Sequence, residues 1–383
     1  NSPRLVRAAL EREQLKNLRL LLRHAWVRSS FYRDYYSSHG LRAKDLAEVT
    51  VSDLPILPKK TLMENFDGAV TDPRLNRRQL EKWFQEHTDP RESFSKDFVV
   101  IHSSGVSGDI GIFVYDRKAW RLADSAIAEA LPPPENYPEG KTKVAFYAAS
   151  HGHFAMVSIA AAMPPAAYDT LILSLLEARQ RTVAQLNAFQ PHRLYGYASS
   201  IADLAELALD GALRIAPRSI FVAGDKLSAA MEKKLHQAWT AKVYITYGTS
   251  ESKYIAVKTP DRSALKVLEN LNYFEVLDEL DRPVTAGQQG RVILSNLYNY
   301  ALPILRYELG DYVVLGGPER DSPFSTILDI KGRVNDALPV VAAGELENIH
   351  PVGLSGFFGP GVEKIQFISK RPKAIGIPYV GTG

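Results

Sequence analysis

The sequence predicts an α/β fold, a large N-terminal domain of helix-covered sheets that carries a small antiparallel subdomain. From about residue 98, short apolar runs alternate with helix-periodic segments, the pattern of parallel strands joined by helical crossovers. From about residue 270 the helices stop and short alternating strands with turns replace them. A chain of 383 residues, 45% hydrophobic and 23% charged, is large enough for a sizeable core. That length suits about two to three domains, or one large domain with subdomains.

Residues 11–27 set Leu15, Leu18, Leu21, Leu22 and Trp26 at helical spacing. "SSFYRDYYSSHGL" then breaks the helix, and "LPILPKKTLMENF", with two prolines, is a loop leading into a short helix. "FVVIH" is a strand, and "DRKAWRLADSAIAEAL" is a helix opened by Asp116. "KVAFYAA" and "DTLILSL" are strands, and "EARQRTVAQLNAF" is a helix. "HRLYGY" is a strand and turn before the helix "SSIADLAELALDG". "SIFVAGD" is a strand, "SAAMEKKLHQAW" a helix, and "KVYITYGTSES" a strand running into a polar loop. "YFEVLDELDRPVTAGQQGRVILSNL", "YVVLGG" and "STILDIKGR" make up the antiparallel subdomain, about 270–333. "LPPPENYPEGK" is a proline-rich surface loop, and no repeat of about 20–50 residues is evident.

Composition excludes several classes. With 46 basic and 43 acidic residues the net charge is only +3, so the basic stripe of a nucleic-acid binder is missing. No apolar run approaches the ~18 residues of a membrane span, and the charged start lacks the apolar stretch of a signal peptide. There is no cysteine, which removes disulfides, thiolate nucleophiles and cysteine zinc sites together. That fits a reducing compartment, and the cytoplasm is the expected location. The nine histidines form no HExxH pattern. The GKT at 140–142 is not a Walker loop: position 135 is Glu where a Gly is needed, and the segment precedes a strand instead of following one. No GxSxG elbow occurs.

Four segments are candidates for chemistry. "HSSGVSGDIGIF", 102–113, crowds glycine and serine behind a strand, where backbone N–H groups and hydroxyls can wrap a phosphate. "YITYGTSES", 244–252, ends an apolar strand with Tyr247, Gly248, Thr249, Ser250 and Glu251. "LPILRYELGDY", 302–312, places Arg306 and the pair Gly310–Asp311 at a strand start. "DIKGRVNDAL", 329–338, places Arg333 and Asp336 at a strand end. Each alone is compatible with a turn, a bulge or a surface charge pair. All four in this order are far less expected by chance.

In that order the segments resemble the adenylate-forming superfamily of acyl-CoA synthetases, adenylation domains and luciferases, and within it the phenylacetate–CoA ligase and coenzyme F390 synthetase branch. The family's (S/T)SG(S/T)TG loop is resembled by Ser103-Ser104-Gly105-Val106-Ser107-Gly108, and its YGxTE by Tyr247 to Glu251. Its RYxxGD is resembled by Arg306 to Asp311, and its GRxDD hinge by Gly332 to Asp336. "SSFYRDYY" and "YGYASS" are similar to further segments of that branch, and the likeness spans roughly residues 15–350.

The resemblance implies ATP- and Mg2+-dependent activation of a carboxylic acid, aryl or arylalkanoic, to an acyl-adenylate. Transfer to coenzyme A would follow, with a carrier protein, an amine or another nucleophile as the alternative acceptor. A nucleotide-binding protein without catalysis is the reading from a different class. By the resemblance, Ser103, Ser104, Gly105, Ser107 and Gly108 hold the β- and γ-phosphates. Thr249 bonds the α-phosphate, Glu251 ligates Mg2+ and Asp311 accepts from the ribose hydroxyls. Arg333 lies near the ribose and the domain joint. Ala223, Gly224 and Asp225 lie against the adenine and acyl pocket, beside Gly248. At Tyr247 two readings stay open, stacking on adenine and a buried core role. His151 or His153 is expected to flank the carboxylate pocket.

The pattern also has departures. Val106 stands where the family has a hydroxyl, a loss of ~1–2 kcal/mol for a charged acceptor, Asp109 follows the loop instead of a lysine, and Asn335 replaces a hinge aspartate. The resemblance divides the chain into a large domain, 1–333, and a small α+β C-terminal domain, 334–383, that is incomplete. "KAIGIPYVGTG" is similar to the approach to the family's catalytic-lysine loop, so a lysine is expected after Gly383. Small-molecule acids are the expected partners, with neither nucleic acid nor membrane, and a homodimer is compatible with the family.

Overall fold

The computed structural model describes residues 3–103, 110–131, 140–150, 152–318, 322–333, 338–342, 345–349, 362–365, 368–371, 374–376 and 379–381. The N-terminal part is helical: α1 (Pro3–Arg28), α2 (Ser30–Ser38), α3 (Lys59–Glu64), α4 (Phe66–Ala69) and α5 (Arg77–Glu86). The break after α1 is a single residue. Ser29 caps α2 by accepting from the Tyr32 N–H at 3.1 Å, and "FYRDYY" goes on as a helix that buries Tyr32 and Tyr36. Of the predicted positions on α1, Leu18, Leu21 and Leu22 are fully buried and Leu15 and Trp26 partly.

β1 (Phe98–His102) does not start the parallel sheet. It pairs antiparallel with β2 (Ile112–Asp116), a strand the sequence did not announce, and the glycine-rich segment connects the two. β2 runs straight into α6 (Arg117–Ala130), whose first turn is capped by Asp116 accepting from the Ala119 N–H at 2.7 Å.

The remaining elements to residue 261 are β3 (Thr142–Ala148), α7 (Ala155–Ala161), β4 (Tyr168–Ser174), α8 (Arg179–Phe189), β5 (Arg193–Tyr197), α9 (Ala198–Leu209), β6 (Ser219–Ala223), α10 (Ala229–Ala238), β7 (Lys242–Tyr247) and β8 (Ala256–Lys258). Then come β9 (Leu265–Val267), β10 (Asn272–Leu277), β11 (Gln289–Asn296), β12 (Ile304–Gly316) and β13 (Thr326–Arg333). One eleven-stranded sheet holds them in the order β10-β11-β12-β13-β9-β8-β7-β6-β5-β3-β4. From β4 to β7 the pairing is parallel, and from β7 to β10 it is antiparallel. The antiparallel strands therefore extend the parallel half and do not form a sheet of their own. The change of direction falls at β7–β8, ahead of residue 270. β8 and β9 are three residues each, too short to show a period of two.

Helices α8, α9 and α10 bury Leu186, Ile201, Leu204 and Leu235 against Leu194, Ile220 and Val222 of the parallel half. A second core joins α1–α5, β1–β2 and α6 to the antiparallel half. On the parallel half Phe146, Tyr195, Phe221 and Tyr244 stack across four strands with centroids 4.6, 4.3 and 4.7 Å apart. Beyond residue 333 the described residues form β14 (Leu338–Ala342), β15 (Glu345–Ile349), β16 (Val362–Ile365), β17 (Ile368–Arg371), β18 (Ala374–Gly376) and β19 (Tyr379–Gly381), paired antiparallel as β14–β15, β16–β19 and β17–β18. Among the described residues no helix is long and apolar enough to cross a membrane.

The ring of Phe221 is flanked on both sides, so its removal leaves a cavity between strands. Phe221→Ala is expected to cost about 3–5 kcal/mol in chemical denaturation. A loss below about 1 kcal/mol would show that the row does not hold the sheet.

Candidate active site

In open α/β sheets, ligands bind beyond the carboxyl ends of parallel strands. Here those ends carry Tyr197, Ala223 and Tyr247, and the polar segments singled out from the sequence follow two of them. Gly248 lets the chain reverse after β7. A β-carbon there would overlap the Lys253 carbonyl oxygen, so no other residue fits without moving backbone. The turn closes with the Thr249 N–H donating to the Ser252 carbonyl at 2.9 Å and the Ser252 N–H donating to Thr249 Oγ1 at 3.2 Å.

Every side of this turn is held. The Tyr115 hydroxyl, from β2, donates to the Ser250 carbonyl at 2.8 Å, and Asn296 Nδ2, from β11, donates to the Glu251 carbonyl at 3.1 Å. Ser252 Oγ donates to Asn272 Oδ1 at 2.7 Å. Lys253 buries its ammonium 3.8 Å from the centroid of Trp120 and 2.5 Å from Asp124, both on α6. Burial pulls its pKa down to about 8, against the opposing pull of Asp124. The segment after β7 is thus anchored to the helix that follows the glycine-rich hairpin.

Glu251 is only 3% exposed, and its Oε1 accepts from the Tyr307 hydroxyl at 3.0 Å. Among the described residues no three histidine, aspartate or glutamate side chains gather to hold a metal. A cation at Glu251 would complete its shell with phosphate oxygens and water, as Mg2+ does beside nucleotides, and a lone buried carboxylate fits that mode.

The "RYELGD" segment lies inside the thirteen-residue β12, not at a strand start. Arg306 has φ 45, the left-handed region that an arginine rarely enters. Its guanidinium donates to the carbonyls of Leu54 at 2.5 Å and Ser52 at 3.2 Å and meets Glu275 at 3.4 Å. Leu57 pairs with Tyr307 beside it. Arg306 thus pins the "LPILP" loop to the sheet. Asp311, expected to stand open to a ligand, is 7% exposed, and its Oδ2 accepts from the Tyr247 hydroxyl at 2.6 Å. Its backbone lies opposite Arg333 of β13, so three of the four segments come together.

Gly224 has φ +81, and a β-carbon there would lie 2.6 Å from the Tyr197 ring. Asp225 turns its carboxylate onto the start of α9, accepting from the Ala198 N–H and, at 3.0 Å, from the Ser199 N–H. Ala223–Asp225 therefore caps a helix beside the end of β7. Ser103 closes the neck of the β1–β2 hairpin, its N–H donating to the Gly111 carbonyl and its Oγ accepting from the Gly111 N–H, both at 2.8 Å. Ser104, Gly105, Ser107, Gly108, His151 and the Arg333 side chain lie outside the described residues. His153 lies beside the neck of that hairpin, its N–H donating to His102 Nε2 at 3.1 Å. It is buried against Trp83, its Nε2–H donates to the His87 carbonyl at 2.9 Å, and burial lowers its pKa. Tyr115, Asp124, Asn296 and Tyr307 were not singled out from the sequence, although Tyr307 sits inside a motif.

Against solved structures, a 2-hydroxyisobutyryl-CoA ligase in complex with 2-HIB-AMP and CoA aligns over 96% of this chain and 79% of its own, with a TM-score of 0.69 at 19% identity. The chain has the fold of the CoA ligases of the adenylate-forming superfamily. The same ligase in a postadenylation state gives a TM-score of 0.70 over 97% of this chain and 78% of that one, at 18% identity. An anthranilate-CoA ligase in complex with anthranoyl-AMP gives 0.50 over 70% of this chain and 53% of that one, at 17% identity. Among curated proteins, CapK of Staphylococcus aureus is 26% identical over 194 residues, which are 49% of this chain and 41% of that protein. No family model matches the chain.

Because Gly248 abuts backbone, a methyl group cannot be accommodated by a side-chain rotation. Gly248→Ala is expected to lose about 2–4 kcal/mol of stability, read by urea denaturation. Wild-type stability would mean that the turn is looser than this geometry.

Proposed function

We propose that the chain activates a carboxylic acid with ATP, forming an acyl-adenylate and pyrophosphate, and passes the acyl group to a thiol, coenzyme A first among candidates. The observation that carries this is the joining of Glu251 and Asp311 to one another's segments in a fold shared with CoA ligases. Adenylation brings two anions together. A carboxylate oxygen bonds to the α-phosphorus, the bond to the bridging oxygen breaks, and pyrophosphate leaves with that electron pair and no net proton transfer. Such a step needs donors and positive charge more than a general base.

In this reading Ser103, Ser104, Gly105, Ser107 and Gly108 receive the β- and γ-phosphates, and the Thr249 hydroxyl donates to the α-phosphate. Tyr247 lies against the adenine, Asp311 accepts from the ribose, and Arg333 stands at the ribose side. Ala223, Gly224 and Asp225 border the base and acyl pocket. Mg2+, held by Glu251, would neutralise phosphate charge as pyrophosphate departs. Structural neighbours hold 2-HIB-AMP and anthranoyl-AMP. An aromatic acid for this chain rests on the sequence resemblance. Val106 and Asn335 favour a second reading, nucleotide binding without turnover.

Exchange of labelled pyrophosphate into ATP over a panel of aromatic and aliphatic acids tests this. Acid-dependent exchange is expected, and Glu251→Gln should slow it about 10²–10³-fold, the scale of a lost transition-state contact. ATP binding without exchange for any acid would select the second reading, and no ATP binding would overturn both.

A further inference from the structure

The two tyrosine–carboxylate bonds run in opposite directions between the same two segments. Tyr247, in the first, donates to Asp311 in the second, and Tyr307, in the second, donates to Glu251 in the first. All four side chains are buried. The backbone of β12 is bent twice to allow it. Between Ile304 and Tyr307, three steps on β12 face two steps on β11, from Asn296 to Leu294, and the strained Arg306 lies in that bulge. Between Glu308 and Tyr312, four steps face two, from Ile293 to Arg291, and Gly310 with φ +82 lies there. Bulges re-aim side chains. Here one immediately precedes Tyr307 and the other contains Asp311. Strain of this kind persists only where surrounding contacts over-determine it, and Arg306 is held by three backbone or carboxylate partners and by Ser295 Oγ, which accepts its N–H at 2.8 Å.

We propose that Tyr247 and Tyr307 are positioning residues forming a reciprocal latch, in which each motif's hydroxyl orients the other motif's carboxylate, Asp311 toward the ribose and Glu251 toward the cation. This rests on the nucleotide reading above. A buried carboxylate without a fixed donor samples more than one rotamer. A charge-assisted hydrogen bond to one oxygen fixes the plane in which the other can meet a ligand. Because the bonds cross, β12 cannot slide along the β7 turn without losing both, so the ribose contact and the cation contact are set together.

The test uses the whole chain and equilibrium binding. For Tyr247→Phe, calorimetry compares ATP with 2′,3′-dideoxyATP. The ring stays for stacking, and the preference for the ribose hydroxyls is expected to fall about fivefold or more. For Tyr307→Phe, electron paramagnetic resonance reads Mn2+ binding in the presence of ATP. It should weaken about five- to tenfold, with metal-free ATP affinity kept within about twofold. Unchanged preference and unchanged Mn2+ affinity would overturn the latch while leaving the nucleotide reading intact. No ATP binding by the wild type would overturn both. Should a Phe variant fold poorly, the pairs Tyr247→Phe/Asp311→Asn and Tyr307→Phe/Glu251→Gln replace the carboxylate by a neutral amide. Adding Phe to the amide variant should then cost less in its own readout than it does beside the carboxylate, and an equal loss would reject the coupling.

Discussion

A carboxylate taken out of water costs several kcal/mol unless hydrogen bonds replace its hydration. Glu251 and Asp311 are both in that position, and much of the surrounding architecture follows from supplying them with donors. The donors are tyrosines that lie on different strands from the carboxylates they serve. For those strands to meet, β7 must be bordered by a return turn tight enough to require Gly248, and β12 must be bulged on either side of Glu308. The left-handed Arg306 is tolerated because its side chain satisfies the carbonyls of a loop that would otherwise be loose, and that loop in turn pairs with Tyr307.

The same constraint explains why the sheet is continuous. Had the antiparallel strands formed a sheet of their own, Asp311 and Tyr247 would sit on separate bodies, and a 2.6 Å bond between them would depend on domain docking. The ladder runs from β7 through β8, β9 and β13 to β12, and at about 4.8 Å per step the sheet must curl for Tyr247 to reach Asp311. The ties to the β7 turn, Lys253–Asp124 from α6 and Tyr115–Ser250 from β2, extend that rigidity to the base of the glycine-rich hairpin. Parts that would handle the phosphate and ribose ends of a nucleotide are thereby joined through short contacts.

Much of this was legible in the sequence. Periodicity located the parallel strands and helices α8, α9 and α10 but not α7, and Asp116 marked the start of α6. The polar segment after β7 named Gly248 and Glu251, and the "RYELGD" segment named Asp311. The remainder was not legible, because it depends on partners far apart in the chain. Tyr115 and Ser250 are 135 residues apart, and Lys253 and Asp124 are 129. β2 hid behind the glycine-rich run, and β8 and β9 are too short to alternate. His153 was expected at the carboxylate pocket by the resemblance; its ring packs on Trp83 of α5 and its backbone N–H bonds His102 of β1, contacts that periodicity does not show. The burial of Asp311 could not be seen from a motif that reads equally well as an open turn.

The central claim is that the β7 turn and β12 form one nucleotide site. Hydrogen–deuterium exchange of the whole chain, with and without ATP and a divalent cation, tests it most directly. Peptides covering 245–252 and 306–312 should gain protection together, at the same ATP concentration. Protection of one without the other, or of neither while ATP binds elsewhere, would contradict it.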